Sequence, residues 1–374
     1  MSPGRPGSPP GVLSDLLQRH VDARTIAGAV ALVDRDGARE VATVGVADLA
    51  SGRPMTRDTV FRWASITGPV VTVAALTFVQ DGAIGPDEPL DRWLPELGRL
   101  RVLRTPGADL TDTVPAERPP TLRDLLTSTC GWGFPSDAGG AWVAALHRWQ
   151  TGLDITGPPP PQEWLAGLAT LPLRHQPGTT YLYNTSYDVL GVLLARIARR
   201  PLPDVVHQRV SVPLGMADTG FAVRDDQRER SSAAYRATPQ GLELFDGVDG
   251  RWSSPPAFPS GAGGLVGTLD DWAAVAGELH GGGRVLSAES LRQLTTDQLQ
   301  PGQGREGQLF LAGQGWGFGG SVDPATGRYG WVGGTGTSAH VTPATGGTAI
   351  LLTQTTVDSP VPPTFLHDFW DVAF

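Results

Sequence analysis

The chain has 374 residues, of which 40% are hydrophobic and 18% are charged, and its net charge is -9 at neutral pH. These proportions are ordinary for globular domains, so they exclude a wholly disordered or fibrous protein. The acidic balance lacks the basic footprint of a nucleic-acid-binding protein, and no apolar run approaches the roughly 18 residues that a membrane span requires. We therefore expect a folded protein with neither nucleic acid nor a membrane as its partner.

Lysine and cysteine usage is unusual. All 29 residues counted as Lys plus Arg are Arg, so the chain contains no lysine. A guanidinium is not deprotonated in proteins, so no Arg can replace a neutral lysine amine as a proton acceptor.

The single cysteine, Cys130, cannot form a disulfide within the chain, and the Pro- and Gly-rich start shows no apolar export segment. The single cysteine and the lack of an export segment lead us to expect a cytoplasmic protein.

The first part of the chain alternates between helical and strand-like patterns. Apolar residues at helical spacing predict an amphipathic helix, shorter β-rich runs predict three strands, and a longer apolar run predicts a buried helix. In chain order these segments are Val12–Val21, Ala27–Val33, Val41–Val46, Thr59–Trp63 and Thr72–Gln80. Ser65 therefore falls near the N-terminal end of the buried helix.

Helices and long loops predominate from about residue 84 to residue 260, and strand patterns then return. The predicted helices are Leu122–Leu126, Glu163–Leu168, Asp188–Ile197 and Val205–Val210. The later predicted strands are Trp316–Ser321, Tyr329–Val332, Ser338–Val341 and Thr348–Gln354, before a final helix over Thr364–Phe374. This order predicts an α/β lobe from residues 11–83 and 261–374, an inserted mainly helical lobe from residues 84–260, and a flexible tail over residues 1–10.

Several short motifs follow one another in a recognisable order. They are Trp63–Val70, Thr121–Thr129, Gln176–Gly178, Tyr183–Gly191, Pro213–Phe221, Ser260–Thr268 and Tyr329–Ser338. In this order they resemble the β-lactamase-related serine hydrolases, which include class C β-lactamases, DD-peptidases and esterases. The resemblance covers nearly the whole chain and implies an α/β (α+β) fold like that of penicillin-binding proteins, with an antiparallel sheet flanked by helices. Such agreement is stronger evidence for fold than for reaction.

Ser65 matches the nucleophile of the family's first motif, Ser-x-x-Lys. In that motif the lysine takes the serine proton, and both side chains face one cleft because three residues make nearly one helical turn. Gly68 stands at the lysine position in this chain. A serine hydroxyl without a base in hydrogen-bond reach is a poor nucleophile, so acylation by the ordinary mechanism should be slower by orders of magnitude. Gly68 also leaves room for a substrate group or a water molecule.

The family's second motif, Tyr-x-Asn, is matched only in part. Asn184 fits the asparagine that holds the substrate, but Leu182 stands two residues before it, flanked by Tyr181 and Tyr183. Tyr183, directly before Asn184, is the preferred candidate for the phenol that assists proton transfer. A phenol with a pKa of about 10 needs a neighbouring cation to become a useful base. In this chain only an Arg or the substrate could supply that charge.

The third motif, Lys-Thr-Gly or its His/Trp-x-Gly variant, resembles Trp331–Gly333, which Gly334 follows. We expect an edge strand here that faces the cleft, where glycines let a substrate approach the backbone. The resemblance implies an oxyanion hole made by the N–H groups of Ser65 and Gly334. His340 lies on the next probable strand and is a further candidate for the cleft.

No metal or cofactor is expected. The seven histidines show no metal-ligand spacing, and with one cysteine a zinc site is not predicted. The glycine-rich runs over residues 261–267 and 281–283 do not open a helix after a strand, as nucleotide-binding loops must, so we interpret them as turns. The expected partner is a small-molecule substrate.

Three functions are compatible with these residues. The preferred one is an enzyme of specialised metabolism that acts on a small carbonyl compound without acylating Ser65, such as an isomerase, cyclase or lyase, because most site residues remain although the base is lost. The second is a serine esterase, hydrolase or acyltransferase in which Tyr183, water or the substrate replaces the lysine. The third is a non-catalytic ligand-binding homologue, which the loss of the lysine itself favours.

Overall fold

The structure, a computed structural model, describes residues 11–35, 37–136, 139–151, 157–357, 359 and 361–374, so the predicted tail over residues 1–10 lies outside the described residues. The strands are β1 (Gly28–Arg35), β2 (Ala38–Asp48), β3 (Arg53–Pro54), β4 (Phe61–Arg62), β5 (Arg101–Leu103), β6 (Thr113–Pro115), β7 (Ala234–Thr238), β8 (Gly241–Asp246), β9 (Val266–Gly267), β10 (Gly315–Trp316), β11 (Ser321–Val322), β12 (Tyr329–Gly333), β13 (Thr337–Thr342), β14 (Gly347–Thr353) and β15 (Thr355–Thr356). The helices are α1 (Val12–Asp22), α2 (Thr67–Gln80), α3 (Leu122–Leu126), α4 (Ala141–His147), α5 (Pro161–Leu168), α6 (Thr185–Ala198), α7 (Leu202–Val206), α8 (Val212–Leu214), α9 (Leu269–Gly277), α10 (Ala288–Thr295), α11 (Gln308–Leu311) and α12 (Thr364–Ala373).

Eight strands form one sheet in the order β10-β11-β12-β13-β14-β1-β2-β3. Neighbouring strands are antiparallel throughout, and β1 pairs with β14 so that Ala31 lies opposite Leu351. The sheet therefore joins an early segment, residues 28–54, to a late one, residues 315–353. The predicted mixed α/β fold with an antiparallel sheet is confirmed.

Helices cover both faces of the sheet. Leu13 of α1 and Phe369 of α12 share a buried cluster with Ala31 on one face. Because side chains alternate along a strand, Val30 and Leu32 point to the other face, where they join the larger core that contains α2. Nearly every residue of α2 is buried, which places this helix at the centre of the molecule. No helix in the described part of the chain is both long and apolar enough to cross a membrane.

A β-hairpin lies within the segment that the sequence predicted to be mainly helical. β7 and β8 pair in antiparallel fashion, and β7 also pairs in parallel with β15 from the C-terminal part of the chain. The sequence does carry a signal for it, because Leu242 and Leu244 flank Glu243 after a turn that contains Pro239. Gly241 closes this turn with a φ of 123°. The hairpin contributes side chains to the walls of the candidate site.

His340 points away from the cleft at which the sequence had placed it. On β13 it alternates with Ala339 and Val341, which face the large core, so its ring lies on the opposite face of the sheet. There it meets the rings of Trp370 and Phe374 edge-on, at centroid distances of 6.3 and 5.9 Å. The alternation of the strand therefore gives His340 a place in the packing against α12.

Acidification should destabilise the protein through His340. Burial lowers the pKa of this imidazole to about 3, and the Arg328 guanidinium acts in the same direction. An unfolded histidine titrates at about pH 6.5, so the unfolded chain binds a proton that the folded chain does not. Stability that is present above about pH 6.5 is therefore lost as the pH falls toward 3, by up to several kcal/mol.

The His340→Gln variant tests this linkage because glutamine does not titrate. Urea unfolding at about pH 7, 5 and 4 gives the free energy of unfolding of both proteins. We expect the difference between them to change steadily across this range as the wild type loses stability. A difference that stays constant with pH would contradict the assignment.

Candidate active site

Ser65 lies in a short turn between β4 and α2. The turn spans Ala64–Ile66, and α2 continues directly from it. Ala64 has a φ of 49°, a left-handed conformation that is uncommon for a residue with a side chain. The preceding carbonyl, that of Trp63, accepts a 2.8 Å hydrogen bond from Thr337 Oγ1 at the start of β13. Contacts from the sheet thus hold a strained turn that presents Ser65, half-buried, at the N-terminal end of α2.

The end of β12 lies directly against this turn. A Cβ atom on Gly333 would lie 2.1 Å from Thr337 Oγ1 and 2.4 Å from the Trp63 carbonyl oxygen, so only glycine fits. This close approach brings Gly334 to the same cavities that Ser65 lines. The N–H groups of Ser65 and Gly334 remain the predicted oxyanion hole.

Tyr183 is the phenol that lies beside Ser65. Its hydroxyl lies near the Ser65 side chain, with which it lines one cavity, and its Oη accepts a 2.7 Å hydrogen bond from Trp331 Nε1. Its ring stacks on Phe310 with a centroid distance of 4.7 Å. Burial raises the pKa of Tyr183 above its ordinary value, although the nearby Ser65 hydroxyl and the hydrogen bond from Trp331 act in the opposite direction. The phenol is therefore neutral at pH 7.

Asn184 follows Tyr183 in a tight turn that sends the two side chains to different cavities. Asn184 has φ 88° and ψ -62°, and the N–H of Thr185 bonds to the Tyr183 carbonyl oxygen at 3.3 Å. These features define a γ-turn with a positive central φ, which is a rare and strained geometry. Asn184 is thereby held at the N-terminal end of α6.

Gly68 lies in the first turn of α2, opposite Gly319. A Cβ atom on Gly68 would lie 3.3 Å from the Gly319 carbonyl oxygen. Apart from its chain neighbours and the backbone of its own helix, no other described atom lies within 4 Å of that position. Burial raises the pKa of Tyr183, and no cation among the described residues contributes to this shift. The site therefore holds Ser65 and Tyr183 without the cationic group that the family motif would supply.

Tyr181 lies outside the site. It is fully buried, and it meets Trp316 edge-on with a centroid distance of 5.1 Å. A Cβ atom on Gly307 would lie 2.1 Å from the Tyr181 ring, so the backbone covers this ring closely. Its hydroxyl has no hydrogen-bond partner among the described residues. Of the two tyrosines, the structure brings Tyr183, the one the sequence preferred, next to Ser65.

Two cavities meet at Ser65 and Gly334. The first, cavity 1, has a volume of about 500 Å³ and contains Asn184; its walls include Phe221, Arg251, Trp252, Pro255, Pro256 and Phe258. The second, cavity 2, has a volume of about 520 Å³ and contains Tyr183; its walls include Phe134, Arg236, Phe245, Phe310 and Trp331. Both volumes are typical of small-molecule sites.

Sequence reasoning did not identify most of these walls. They come largely from the β7–β8 hairpin and from the loop that follows it, over residues 251–258. The sequence signal that could have found them is the density of aromatic residues and prolines over residues 245–258. Such a cluster on a predicted loop is more typical of a binding surface than of a linker.

Other reactive groups contribute little to this site. Burial raises the pKa of the Cys130 thiol to about 11, so it stays protonated. Within the described ranges, no group of three or more His, Cys, Asp or Glu side chains could hold a metal ion.

The chain is similar in sequence and in structure to several known proteins. The family model described as Beta-lactamase matches residues 13–365. Protein Rv1367c of Mycobacterium tuberculosis is 39% identical over 318 residues, which cover 82% of this chain and 78% of that protein. Esterase EstB of Burkholderia gladioli is 33% identical over 362 residues, covering 89% and 87%. Among solved structures, EstCE1, described as a hydrolase with promiscuous acyltransferase activity, has a TM-score of 0.82 and 26% identity, covering 96% of this chain and 97% of that one.

Proposed function

Since this chain belongs to the β-lactamase family, we propose that it is a serine acyl-transfer enzyme, an ester hydrolase or acyltransferase in which Ser65 becomes acylated. The observation that carries the proposal is the position of the Tyr183 phenol beside Ser65, where two cavities meet. Among the similar proteins, EstB is named an esterase and EstCE1 a hydrolase with acyltransferase activity. These names favour the esterase alternative over the isomerase, cyclase or lyase that the sequence placed first.

A neutral proton relay through Tyr183 would take the place of the lysine. The Trp331 N–H can only donate, and a phenol oxygen can accept from both Trp331 and Ser65 while keeping its own proton for a third group. In acylation, Ser65 Oγ bonds to the ester carbonyl carbon, and the bond from that carbon to the leaving oxygen breaks. The Ser65 proton passes to Tyr183 as Tyr183 gives its own proton to the leaving oxygen. No charge remains on Tyr183, so its raised pKa does not block the relay.

This relay also determines which substrates react. Because no charged base assists, esters with acidic leaving groups, such as phenols, should acylate Ser65 faster than esters of simple alcohols. The relay runs in reverse when the acyl group leaves Ser65, and the attacking hydroxyl then gives its proton to Tyr183 from cavity 2. Water in that place gives hydrolysis, whereas an alcohol gives acyl transfer.

The Ser65→Ala variant tests the proposal directly. We expect it to lose turnover of 4-nitrophenyl esters down to the uncatalysed rate, and to lose the stoichiometric mass increase that a fluorophosphonate causes in the intact wild-type protein. Ser51→Ala, which changes an exposed serine outside both cavities, should keep both properties. Mass spectrometry and a spectrophotometric assay measure the two effects.

Two results would overturn this proposal. One is fluorophosphonate labelling that persists in Ser65→Ala, which would place the nucleophile elsewhere. The other is a folded wild-type protein that gives neither adduct nor turnover with any activated ester. That second result would support the ligand-binding alternative, which the glycine at position 68 favours.

A further inference from the structure

Guanidinium groups and aromatic rings alternate along the wall between the two cavities. In cavity 2, Arg236 lies over the Phe245 ring at 5.1 Å. Arg251, in cavity 1, lies 5.5 Å from the same ring and 5.1 Å from the Trp252 ring. Arg62 completes the series, 5.3 Å from the Trp252 ring. We call these five residues the Arg–aromatic row.

The Arg62 end of the row is fixed beside the Ser65 turn. Arg62 is buried three residues before Ser65, and its Nε donates to Asp246 Oδ2 at 3.1 Å. Arg62 Nη1 donates to the Ser232 carbonyl oxygen at 2.6 Å. The other carboxylate oxygen of Asp246, Oδ1, accepts a 3.0 Å hydrogen bond from the Arg251 backbone N–H and lies 4.0 Å from Arg251 Nε, within ion-pair distance. The row is thus tied to the backbone that presents Ser65.

Within the row, Arg251 is arranged to bind a planar anion. Cation–π contact with the Phe245 and Trp252 rings limits the freedom of its guanidinium. The N–H donors lie in the plane of the group, so they suit acceptors that approach its edge. A guanidinium has five such donors and can therefore serve a ligand together with its protein partners. A carboxylate matches this edge with two parallel hydrogen bonds.

We propose that cavity 1 binds an acyl group that ends in a carboxylate, and that Arg251 recognises this carboxylate. The inference rests on the proposed function, in which Ser65 accepts the acyl group. Tyr183 protonates the leaving oxygen from cavity 2, so the acyl group occupies cavity 1. Phe221 and Phe258 supply apolar walls for the methylene chain between its two ends.

The size of cavity 1 limits the length of this acyl group. A volume of about 500 Å³ corresponds to a sphere about 10 Å across. A chain that reaches from Ser65 to Arg251 within this space has only a few methylene groups. The substrate class is therefore the half-esters of short dicarboxylic acids, such as glutarate.

Two esters that differ only at the chain end test the proposal. Mono-4-nitrophenyl glutarate ends in a carboxylate, whereas 4-nitrophenyl pentanoate ends in a methyl group. We expect the wild type to favour the glutarate ester in kcat/KM by at least about tenfold, and Arg251→Gln to remove most of this preference. Arg209→Gln is the matched control, because Arg209 also lies over a ring, that of Phe78, but outside both cavities. It should keep the preference.

A binding measurement separates this inference from the proposed function. Glutaramate carries the same carboxylate and cannot acylate Ser65 appreciably, and glutaramide is its neutral counterpart. Calorimetry should show glutaramate bound more tightly than glutaramide by the wild type, with the difference lost in Arg251→Gln. If this holds while no ester is turned over, the proposed function fails and the binding inference stands. Two results would overturn the inference. One is a wild type that favours neither the glutarate ester over the pentanoate ester nor glutaramate over glutaramide. The other is an Arg251→Gln variant that keeps these preferences.

Discussion

Gly68→Lys should raise the rate at which a 4-nitrophenyl ester acylates Ser65 by about 10²–10⁴-fold, the usual contribution of a positioned general base. The variant recreates the Ser-x-x-Lys spacing, nearly one turn after Ser65 at the start of α2. Burial lowers the pKa of an amine, so a useful fraction of the lysine would be neutral and able to take the serine proton. In its charged form it would also stabilise a Tyr183 phenolate, against the effect of burial. Single-turnover release of 4-nitrophenolate measures the acylation rate.

The control for this variant is Gly68→Met, which has a similar length but no amine. Both side chains need only a small adjustment, because the Cβ atom would lie 3.3 Å from the Gly319 carbonyl oxygen. Thermal unfolding shows whether each variant remains folded. Equal acceleration by both side chains would show that the amine is not responsible. A folded lysine variant without acceleration would show that the site has lost more than its base.

The position of Ser65 could be predicted because local features fix it. A β-rich run, a turn and a long apolar stretch follow one another within about 20 residues. The helix itself begins at Thr67, five residues earlier than its apolar pattern indicated. Glycine is a poor helix former, but Pro69 is well tolerated in a first turn, where its missing N–H would have no partner. Periodicity therefore locates the helix better than it locates the start of the helix.

The choice between Tyr181 and Tyr183 depends instead on contacts that are remote in sequence. Tyr181 is covered by Trp316 and by the backbone at Gly307, whereas Tyr183 meets Trp331. All three partners come from far later in the chain, so no local pattern separates the two tyrosines. The walls of both cavities could not be predicted for the same reason, since they form only when the β7–β8 hairpin packs beside the Ser65 turn.

Tyr183→Phe should lower the acylation rate by about 10²-fold or more for esters whose leaving groups need a proton. The phenylalanine ring keeps the packing against Phe310 but removes the hydroxyl that carries the proton between Ser65 and the leaving oxygen. Esters with acidic leaving groups should lose less, because their oxygens can leave unprotonated. A series of aryl acetates measures this difference, and the logarithm of the rate should fall more steeply with leaving-group pKa in the variant than in the wild type.

Tyr181→Phe provides the matched control for the relay. It removes a hydroxyl that is buried outside both cavities and has no hydrogen-bond partner among the described residues. Losing such a hydroxyl leaves no partner unsatisfied, so rates and stability should stay close to those of the wild type. If Tyr183→Phe also kept the wild-type rates and the same dependence on the leaving group, Tyr183 would carry no proton. Ser65 would then have to react with the substrate itself as its proton acceptor, and a donor bearing an amine or a carboxylate near its carbonyl would be the next substrate to test.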